Sequence, residues 1–454
     1  MKFSIKKIQS RYRAWMFATA TFLIAGCDGK LDLNPQDAVD ESIALDTSDK
    51  VEAALTGAYD ALGERDVYAG ELFRDSELLA DSGELSWEGT FLDPRQFFTK
   101  NIQVDNFNVA ETWLEMYEAI NRTNNVLSAL GVVDVDIVGR VEGEAKFIRG
   151  TVYFELVRVF AKTWQDGDPA SNLGVPIVLA PTNIITAENN VSRNTVAEVY
   201  RQVISDLTDA VNLLPEKNGV FASTYAASAM LSRVYMMQAD YAAAAAAADR
   251  VIQSGQYELV DDYADAFNNS SNTSEDIFAM QVSSQDGENR MNTFFAPPDN
   301  SGRGDIPILD AHFALYEDGD ERLDLFYVSD DLTWTGKWSN RFSIVNVIRS
   351  AEMYLTRAEA NFREGTIVGD TPLNDINLVR SRAGLDDLDA LTLDDILLER
   401  KLELAFEGQA IHDLKRTQRP VGSILFDDNA LVYPIPLREM DANPGLAGQQ
   451  NPGY

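Results

Sequence analysis

Histidine and cysteine are nearly absent from this chain of 454 residues, which contains two histidines and one cysteine. His312 and His412 occur in no HExxH or comparable metal-ligand spacing, so we expect no catalytic zinc and no other metal centre. A single cysteine excludes an intrachain disulfide. It also leaves Cys27 as the one candidate for a catalytic thiol.

Common catalytic and cofactor motifs are missing as well. The sequence contains no GxSxG motif, no GxxxxGK[ST] loop and no GxGxxG turn after a strand, which argues against the usual hydrolases and nucleotide-binding proteins. We therefore expect no cofactor and no catalytic residues. Acidic pairs such as Asp166 with Asp168, or Asp318 with Asp320, could serve a glycosidase. Because 72 carboxylates produce such pairs by chance, solvated loop charge is the preferred interpretation.

Positive charge is scarce. The chain has 38 Lys and Arg against 72 Asp and Glu, and its formal net charge is −34. Removing the first 26 residues, which hold five basic and no acidic side chains, changes the net charge to about −39. The negative electrostatic field of such a protein repels phosphate backbones and polyanionic glycans. We therefore expect no nucleic-acid partner and favour neutral saccharides as ligands. Solubility of a surface protein is the simpler explanation of the acidity itself.

Long apolar runs are missing, and the one notable apolar stretch lies at the N-terminus. Residues 14–25 follow a basic segment and span 12 residues, too few to cross a bilayer as a helix. This arrangement is typical of a signal peptide, which we place at residues 1–26. The basic segment contains Lys2, Lys6, Lys7, Arg11 and Arg13.

The predicted signal peptide ends in Ile24-Ala25-Gly26-Cys27, which resembles the lipobox of bacterial lipoproteins. In such proteins the cysteine is lipidated and becomes the new N-terminus, and two or three acyl chains give stable attachment to a membrane. We therefore predict lipidation at Cys27, a lipid-anchored tether over residues 27–40 and one compact domain over residues 41–454, because no flexible linker divides the remainder.

Helical periodicity dominates the remaining chain. Apolar residues recur at three- and four-residue spacing from Thr195 to Pro215, and Thr195 with Glu198 forms a capping box. Residues 225–259 predict two antiparallel helices around the turn Ala239-Asp240, the second containing seven consecutive alanines. A helix pair of about 34 residues with small residues at the crossing is the tetratricopeptide (TPR) pattern, although an ordinary helical hairpin has the same features.

Further helices alternate with long segments that lack helical periodicity. We predict helices over residues 113–130, 142–160, 350–364, 372–383 and 392–407. The segments without periodicity are residues 68–108, 164–193 and 261–346. Insertions of this length in a helical scaffold usually hold the binding surface. The predicted fold class is all-α, with TPR-like helix pairs in a single compact domain and long irregular loop insertions.

Short motifs follow one another along nearly the whole mature chain. They are Leu31 to Pro35, Trp113 to Leu127, Glu144 to Phe154, Arg349 to Ala360, Glu399 to Gly408, Tyr433 to Pro444, and Asn451 to Tyr454. Together with the lipobox, their order and spacing resemble the SusD/RagB family of outer-membrane nutrient-binding lipoproteins. One departure is Gln409-Ala410-Ile411-His412, which stands where the family tends to place an arginine before Asp413-Leu414-Lys415-Arg416.

The resemblance implies a function and a location. We expect a surface-exposed outer-membrane lipoprotein that binds oligosaccharide or polysaccharide and delivers it to a SusC-like TonB-dependent transporter. Two alternatives stay open. A surface glycoside hydrolase would turn over glycan as the purified protein, whereas a TPR-type protein-interaction scaffold would bind no saccharide.

Aromatic residues in the irregular segments are candidates for sugar binding. Sugar recognition without cleavage needs flat aromatic faces and a few hydrogen-bonding side chains. Trp87 and Trp334 lie in polar, glycine-containing stretches that suit an exposed ring, so we predict that both contact ligand. Trp113 has core spacing on a helix and is assigned to packing. The remaining predicted ligand-binding residues are Phe294, Phe295, Trp338 and Tyr68.

Overall fold

Helices that pack as antiparallel neighbours make up most of the structure. The computed structural model describes residues 45–183, 186–285 and 287–454, and Thr47–Tyr454 forms one unit by its internal contacts. The predicted signal peptide, Cys27 and the tether lie outside the described residues. Within these ranges, no helix has both the length and the apolar composition needed to cross a membrane.

The first part of the chain contains the predicted helix pairs. Its helices are α1 (Ser48–Leu62), α2 (Glu71–Ala80), α3 (Leu92–Phe98), α4 (Phe107–Ser128), α5 (Val138–Phe160), α6 (Val196–Leu213), α7 (Thr224–Gln238) and α8 (Tyr241–Ile252). Helix α4 packs against α5, α5 against α6, α6 against α7, and α7 against α8. This succession of packed neighbours confirms the predicted all-α fold class with paired helices.

The second part combines short strands with further helices. In chain order these are β1 (Asp276–Met280), α9 (Arg290–Phe295), α10 (Asp310–Phe313), β2 (Phe326–Ser329), β3 (Leu332–Thr335), β4 (Val345–Arg349), α11 (Ser350–Glu364), α12 (Pro372–Arg382), α13 (Leu393–Glu403), α14 (Ala410–Arg416) and α15 (Leu437–Ala442). Strands β1 and β4 pair antiparallel, and β2 and β3 form a hairpin. Helix α11 packs against both α8 and α12.

Local sequence explains where several helices begin. The Thr195 hydroxyl accepts a hydrogen bond from the Glu198 N–H at 3.2 Å, and the Glu198 carboxylate accepts one from the Thr195 N–H at 2.8 Å. The predicted capping box at the start of α6 is therefore confirmed. Thr392 caps α13 in the same way. The turn between α7 and α8 contains Ala239 in a left-handed conformation, with φ of 59°.

Alanines allow α8 to lie close to its neighbours. Ala244 and Ala245 are fully buried and form a cluster with Met236 of α7 and Ala360 of α11. Small side chains bring helix backbones near each other without leaving cavities, because the interior is filled at close to crystal density. Ala244 and Ala245 of the alanine run thus supply the contact of α8 with both partners.

Helix α2 corrects the prediction that residues 68–108 are irregular. All ten of its residues are buried, including the charged side chains Glu71, Arg74, Asp75 and Glu77. Leu72, Phe73, Leu78 and Leu79 do give the segment an apolar side, but a ten-residue helix with four charged residues is easily taken for a loop in the sequence. Charged groups inside the protein are satisfied by pairing: Arg74 contacts Glu71 at 2.9 Å and Asp75 at 2.8 Å.

A buried charge network attaches the third irregular segment to the helical body. We define it as Arg349, Glu403, Glu407 and Lys337. Arg349 lies 2.7 Å from the Glu403 carboxylate and 2.8 Å from that of Glu407, and Lys337 lies 2.6 Å from Glu407. Burial lowers the pKa of Lys337 to about 8. Removing one member would leave an uncompensated buried charge, so the network holds residues 336–338 firmly against the chain after α13.

Candidate functional site

Three segments that are distant in sequence meet beside helix α2. Leu85 forms an antiparallel bridge with Ile308, and Ile308 forms another with Thr333 of β3. The Glu88 N–H donates to the Asp305 carbonyl at 2.8 Å, which continues the pairing. We call this arrangement the central ribbon; it consists of residues 84–88, 305–309 and 332–335. The central ribbon therefore joins residues 68–108 to residues 261–346, the first and third segments that lack helical periodicity in the sequence.

Trp87 extends from the central ribbon and is partly exposed. Its ring centroid lies 6.4 Å from that of Phe294. Gly89 lets the chain pass closely over the ring, because a Cβ at this position would lie 2.6 Å from Cζ2 of Trp87. The buried indole N–H of Trp87 has no hydrogen-bond partner.

Phe91 supplies the most exposed ring of this surface. Its exposed fraction is 45%, and the Arg303 guanidinium lies 4.1 Å from its ring centroid. Arg303 is oriented by a 2.9 Å hydrogen bond from its Nε to Asp305. More than a third of the Arg303 side chain is exposed, so its outer nitrogen atoms are available to a ligand. Phe91 and Leu92 together form an apolar margin next to Trp87.

Phe294 forms the floor beneath Trp87 and Phe91. It is buried, and two arginines contact its ring: the Arg74 guanidinium lies 4.1 Å and that of Arg290 lies 5.6 Å from the centroid. Arg290 also pairs with Glu71 at 2.7 Å. Cation–π contacts and ion pairs thus fix the floor from below.

The carboxylates near these arginines differ in ionisation. Burial raises the pKa of Asp75 to about 8 and that of Glu115 to about 8, and burial together with the charge of Glu71 raises the pKa of Asp66 to about 6. At neutral pH the first two are therefore largely protonated. The ionised partners that remain offset the arginines, so the surface is locally close to neutral despite the acidity of the whole chain.

The structure brings Trp87 and Phe294 together, but of the predicted ligand-binding residues only Trp87 is partly exposed and Phe294 is buried with the others. Trp334 is 2% exposed, and its Nε1 donates to the Ser329 carbonyl at 3.1 Å. The expectation that it presents an exposed ring is wrong, because the ring is enclosed and packs against Gly304, where an added Cβ would lie 3.2 Å from Cη2 of Trp334. Trp113 is buried as predicted.

Three further predicted residues also lie in the interior. Trp338 donates from Nε1 to the Phe406 carbonyl at 3.0 Å, and the Phe295 ring centroid lies 5.8 Å from that of Phe406. The Tyr68 hydroxyl donates to Glu155 at 2.6 Å. Each is fully or almost fully buried, so none offers a ring face to a ligand in this structure.

Sequence reasoning missed Phe91 and Arg303. The apolar pair Phe91-Leu92 directly after the glycine-flanked Trp87 was the available signal, since two adjacent large apolar residues in a loop suggest a recognition surface. Arg303 lay in a polar stretch with no distinguishing neighbour.

In the part of the chain that the structure describes, no group of three or more His, Cys, Asp or Glu side chains is arranged to hold a metal ion.

Comparison with known proteins gives a consistent picture. A SusD-like family model, described as starch-binding and associating with the outer membrane, matches residues 31–236, and a SusD family model matches residues 327–423. The chain belongs to the SusD/RagB family. This confirms the resemblance inferred from the sequence motifs.

Relatives of this SusD/RagB protein cover almost its whole length. SusD-like protein P2 of Formosa agariphila is 24% identical, over 96% of this chain and 99% of the relative. A SusD superfamily protein from Bacteroides thetaiotaomicron is 26% identical with a TM-score of 0.81, covering 89% of this chain and 100% of that one. A putative sugar binding protein from Bacteroides vulgatus is 25% identical with a TM-score of 0.82, covering 90% and 99%.

Proposed function

We propose that this protein captures a neutral oligosaccharide or polysaccharide at the surface formed by Trp87, Phe91 and Arg303, and delivers it without cleavage to a SusC-like TonB-dependent transporter of the outer membrane. The observation that carries the proposal is a partly exposed tryptophan beside an exposed phenylalanine and an accessible arginine, over a fixed aromatic floor. The similarity to a putative sugar binding protein supports the same conclusion.

The side chains of this surface match the chemistry of a sugar. The C–H face of a pyranose ring packs against an aromatic ring, as Trp87 and Phe91 allow, while hydroxyl groups need directed hydrogen bonds. The outer nitrogen atoms of Arg303 donate to hydroxyl oxygens. The exposed Glu88 carboxylate, on the same segment, accepts from hydroxyl hydrogens.

Charge supports a neutral ligand. The arginines of the site are paired with carboxylates, including Arg303 with Asp305 and Arg290 with Glu71, so no large excess of positive charge attracts an anion. The negative charge of the whole chain repels polyanions at longer range. A neutral polymer needs no excess of positive charge for binding and is not repelled by the negative charge of the chain.

Titration calorimetry of Trp87→Ala and Phe91→Ala tests the binding surface, with a neutral oligosaccharide selected on a glycan array by the parent protein. Loss of an aromatic hot spot should cost about 2 kcal/mol, roughly thirtyfold in affinity. Phe362→Ala, which removes an exposed ring on α11, is the matched control and should bind like the parent.

Two results would contradict this proposal. If both variants stay folded and bind as tightly as the parent, Trp87 and Phe91 do not form the binding surface. If purified protein releases new reducing ends from the bound glycan, it is a hydrolase rather than a capture protein.

A further inference from the structure

A pocket of about 140 Å³ lies on another part of the protein, between the C-terminal end of α2 and helices α13 and α14. Its lining includes Glu84 and Leu85 of the central ribbon but none of Trp87, Phe91, Phe294 or Arg303. The pocket and the proposed glycan surface therefore share a backbone segment and no ligand-contacting side chain. Nothing in the proposed function makes use of this pocket.

One part of the pocket wall is apolar. Its apolar lining contains Ala80, Leu85, Leu397, Leu404, Phe406 and Leu414. Phe406 has a φ of 63°, a conformation that is costly for a bulky residue and persists only where the surroundings enforce it. Its ring lies 4.8 Å from the His312 ring. A strained residue fixed by packing at the wall of a cavity is a feature of binding sites more often than of plain core.

The acidic groups in the lining already accept hydrogen bonds. Asp81 Oδ1 accepts from three backbone N–H groups, and Asp413 accepts from two arginines at 2.9 and 2.7 Å. Glu84 accepts from His312 at 2.8 Å and from Lys401, and Glu77 accepts from the Gly408 N–H at 2.7 Å. Little acceptor capacity is left for a ligand rich in hydroxyl groups, because each hydroxyl hydrogen would need an acceptor in place of water.

Donors, by contrast, remain available at the mouth. The side chains of Lys401 and Arg419 are 43% and 44% exposed, and the Asp394 partner of Arg419 is 82% exposed. The Arg419–Asp394 pair is exposed on both sides and contributes little free energy, so an incoming anion can compete for Arg419. Lys401 keeps its contact with Glu84, and its other N–H groups remain for the anion. Lys401 offers three N–H donors and Arg419 five.

We infer that this pocket binds a small apolar carboxylic acid, with the carboxylate at Lys401 and Arg419 and the apolar body against Leu85, Leu404 and Phe406. A cavity of about 150 Å³ holds a benzene ring, so a volume of about 140 Å³ suits an apolar body of about that size with the carboxylate outside it. Burying such a body removes apolar surface from water, while the carboxylate stays at the solvent boundary where its desolvation cost is low.

Octanoate is a suitable probe, and the full chain carrying Cys27→Ser avoids the detergent that a lipidated protein needs. Calorimetry should detect octanoate binding to this protein. Lys401→Met and Arg419→Met should each weaken it about tenfold, which corresponds to about 1.4 kcal/mol. The same variants should bind 1-octanol like the parent, because the alcohol carries no charge for them to contact.

Two controls keep the test specific. Lys217→Met removes an exposed lysine outside the lining and should leave octanoate affinity unchanged. Ala410→Leu places extra volume in the pocket and should weaken octanoate and 1-octanol alike. Absence of octanoate binding to the parent, or equal octanoate affinity of the parent and the Lys401→Met/Arg419→Met double variant, overturns the inference. Glycan titration of the same variants reports separately on the proposed function.

Discussion

Glu77 is a buried carboxyl group whose ionisation should influence stability. Burial raises its pKa from the ordinary 4.5 to about 7, so the folded protein binds this proton more tightly than the unfolded chain does. The contribution to the free energy of unfolding is present in full below pH 4.5 and is lost as the pH rises through about 7, a loss of about 3 kcal/mol.

The glutamine of Glu77→Gln remains neutral at every pH, so this variant should not lose stability from position 77 as the pH rises. Urea denaturation of parent and variant at pH 4.5 and pH 7.5 gives their free energies of unfolding. Between these pH values the parent should lose about 3 kcal/mol more stability than the variant does. The exposed Glu188→Gln serves as the control and should follow the parent. A constant difference across the pH range would show that Glu77 is ionised in the folded protein throughout.

Individual tryptophans show where residue-level prediction from sequence succeeds. Trp113 was assigned to the core because it lies on a helix with apolar residues at three- and four-residue spacing, and the structure buries it. Trp87 and Trp334 have similar polar neighbours, yet one is partly exposed and the other buried. What separates them is the chain that packs around each ring: Trp334 is enclosed by Ser329 and Gly304, which approach it only in the folded protein.

At the scale of elements, the turn between α7 and α8 offers a test of backbone strain. Ala239 is exposed and has a φ of 59°, where an alanine pays about 1 kcal/mol or more for its Cβ. Ala239→Gly removes this strain but adds freedom to the unfolded chain. We expect a net gain of about 0.5 kcal/mol in the free energy of unfolding, measured by chemical denaturation.

A matched substitution in the next helix should act in the opposite direction. Ala246 is an exposed residue in the interior of α8, and Ala246→Gly should lower the free energy of unfolding by about 1 kcal/mol. If Ala239→Gly also destabilises the protein, the turn does not store the strain that its backbone angle implies.

Helices α6 and α2 mark the limits of prediction for elements. The sequence of α6 carries an apolar face, a capping box and a terminal proline, and each of these local features is independent of the rest of the chain. Helix α2 is rich in charged residues that find partners inside the protein, some within the helix and others far along the chain. Arg290, which pairs with Glu71, lies more than 200 residues away, so no local pattern reveals that this segment is buried.

For the whole molecule, anchoring and partnership can be tested together. A tether beginning at Cys27 would keep the folded body at high effective concentration near any membrane partner, so a modest direct interface would stay occupied. Affinity purification of the lipoprotein from solubilised outer membranes should recover a large barrel protein in near-equal amount. Cys27→Ala should leave the membrane fraction and recover far less of that protein.

Fractionation, mass spectrometry of the N-terminus and quantification of the co-purified protein provide the readouts. The Trp87→Ala variant is the control, since it keeps Cys27 and should retain both membrane attachment and partner. Membrane retention of Cys27→Ala with an unmodified wild-type N-terminus would refute the anchor. Recovery of the wild-type lipoprotein alone in mild detergent and low salt would refute the partnership.

The central ribbon also determines when the protein can begin to bind. Its pairings join Leu85 to Ile308 and Ile308 to Thr333, and contacts across such long stretches of chain form only after costly loop closure. A growing chain folds from its N-terminus, so Trp87 is synthesised early but gains its floor and its ribbon partners only after β3 has emerged. Chains that end before Thr335 therefore contain Trp87 without a complete ribbon, and capture at the proposed surface requires synthesis at least through β3.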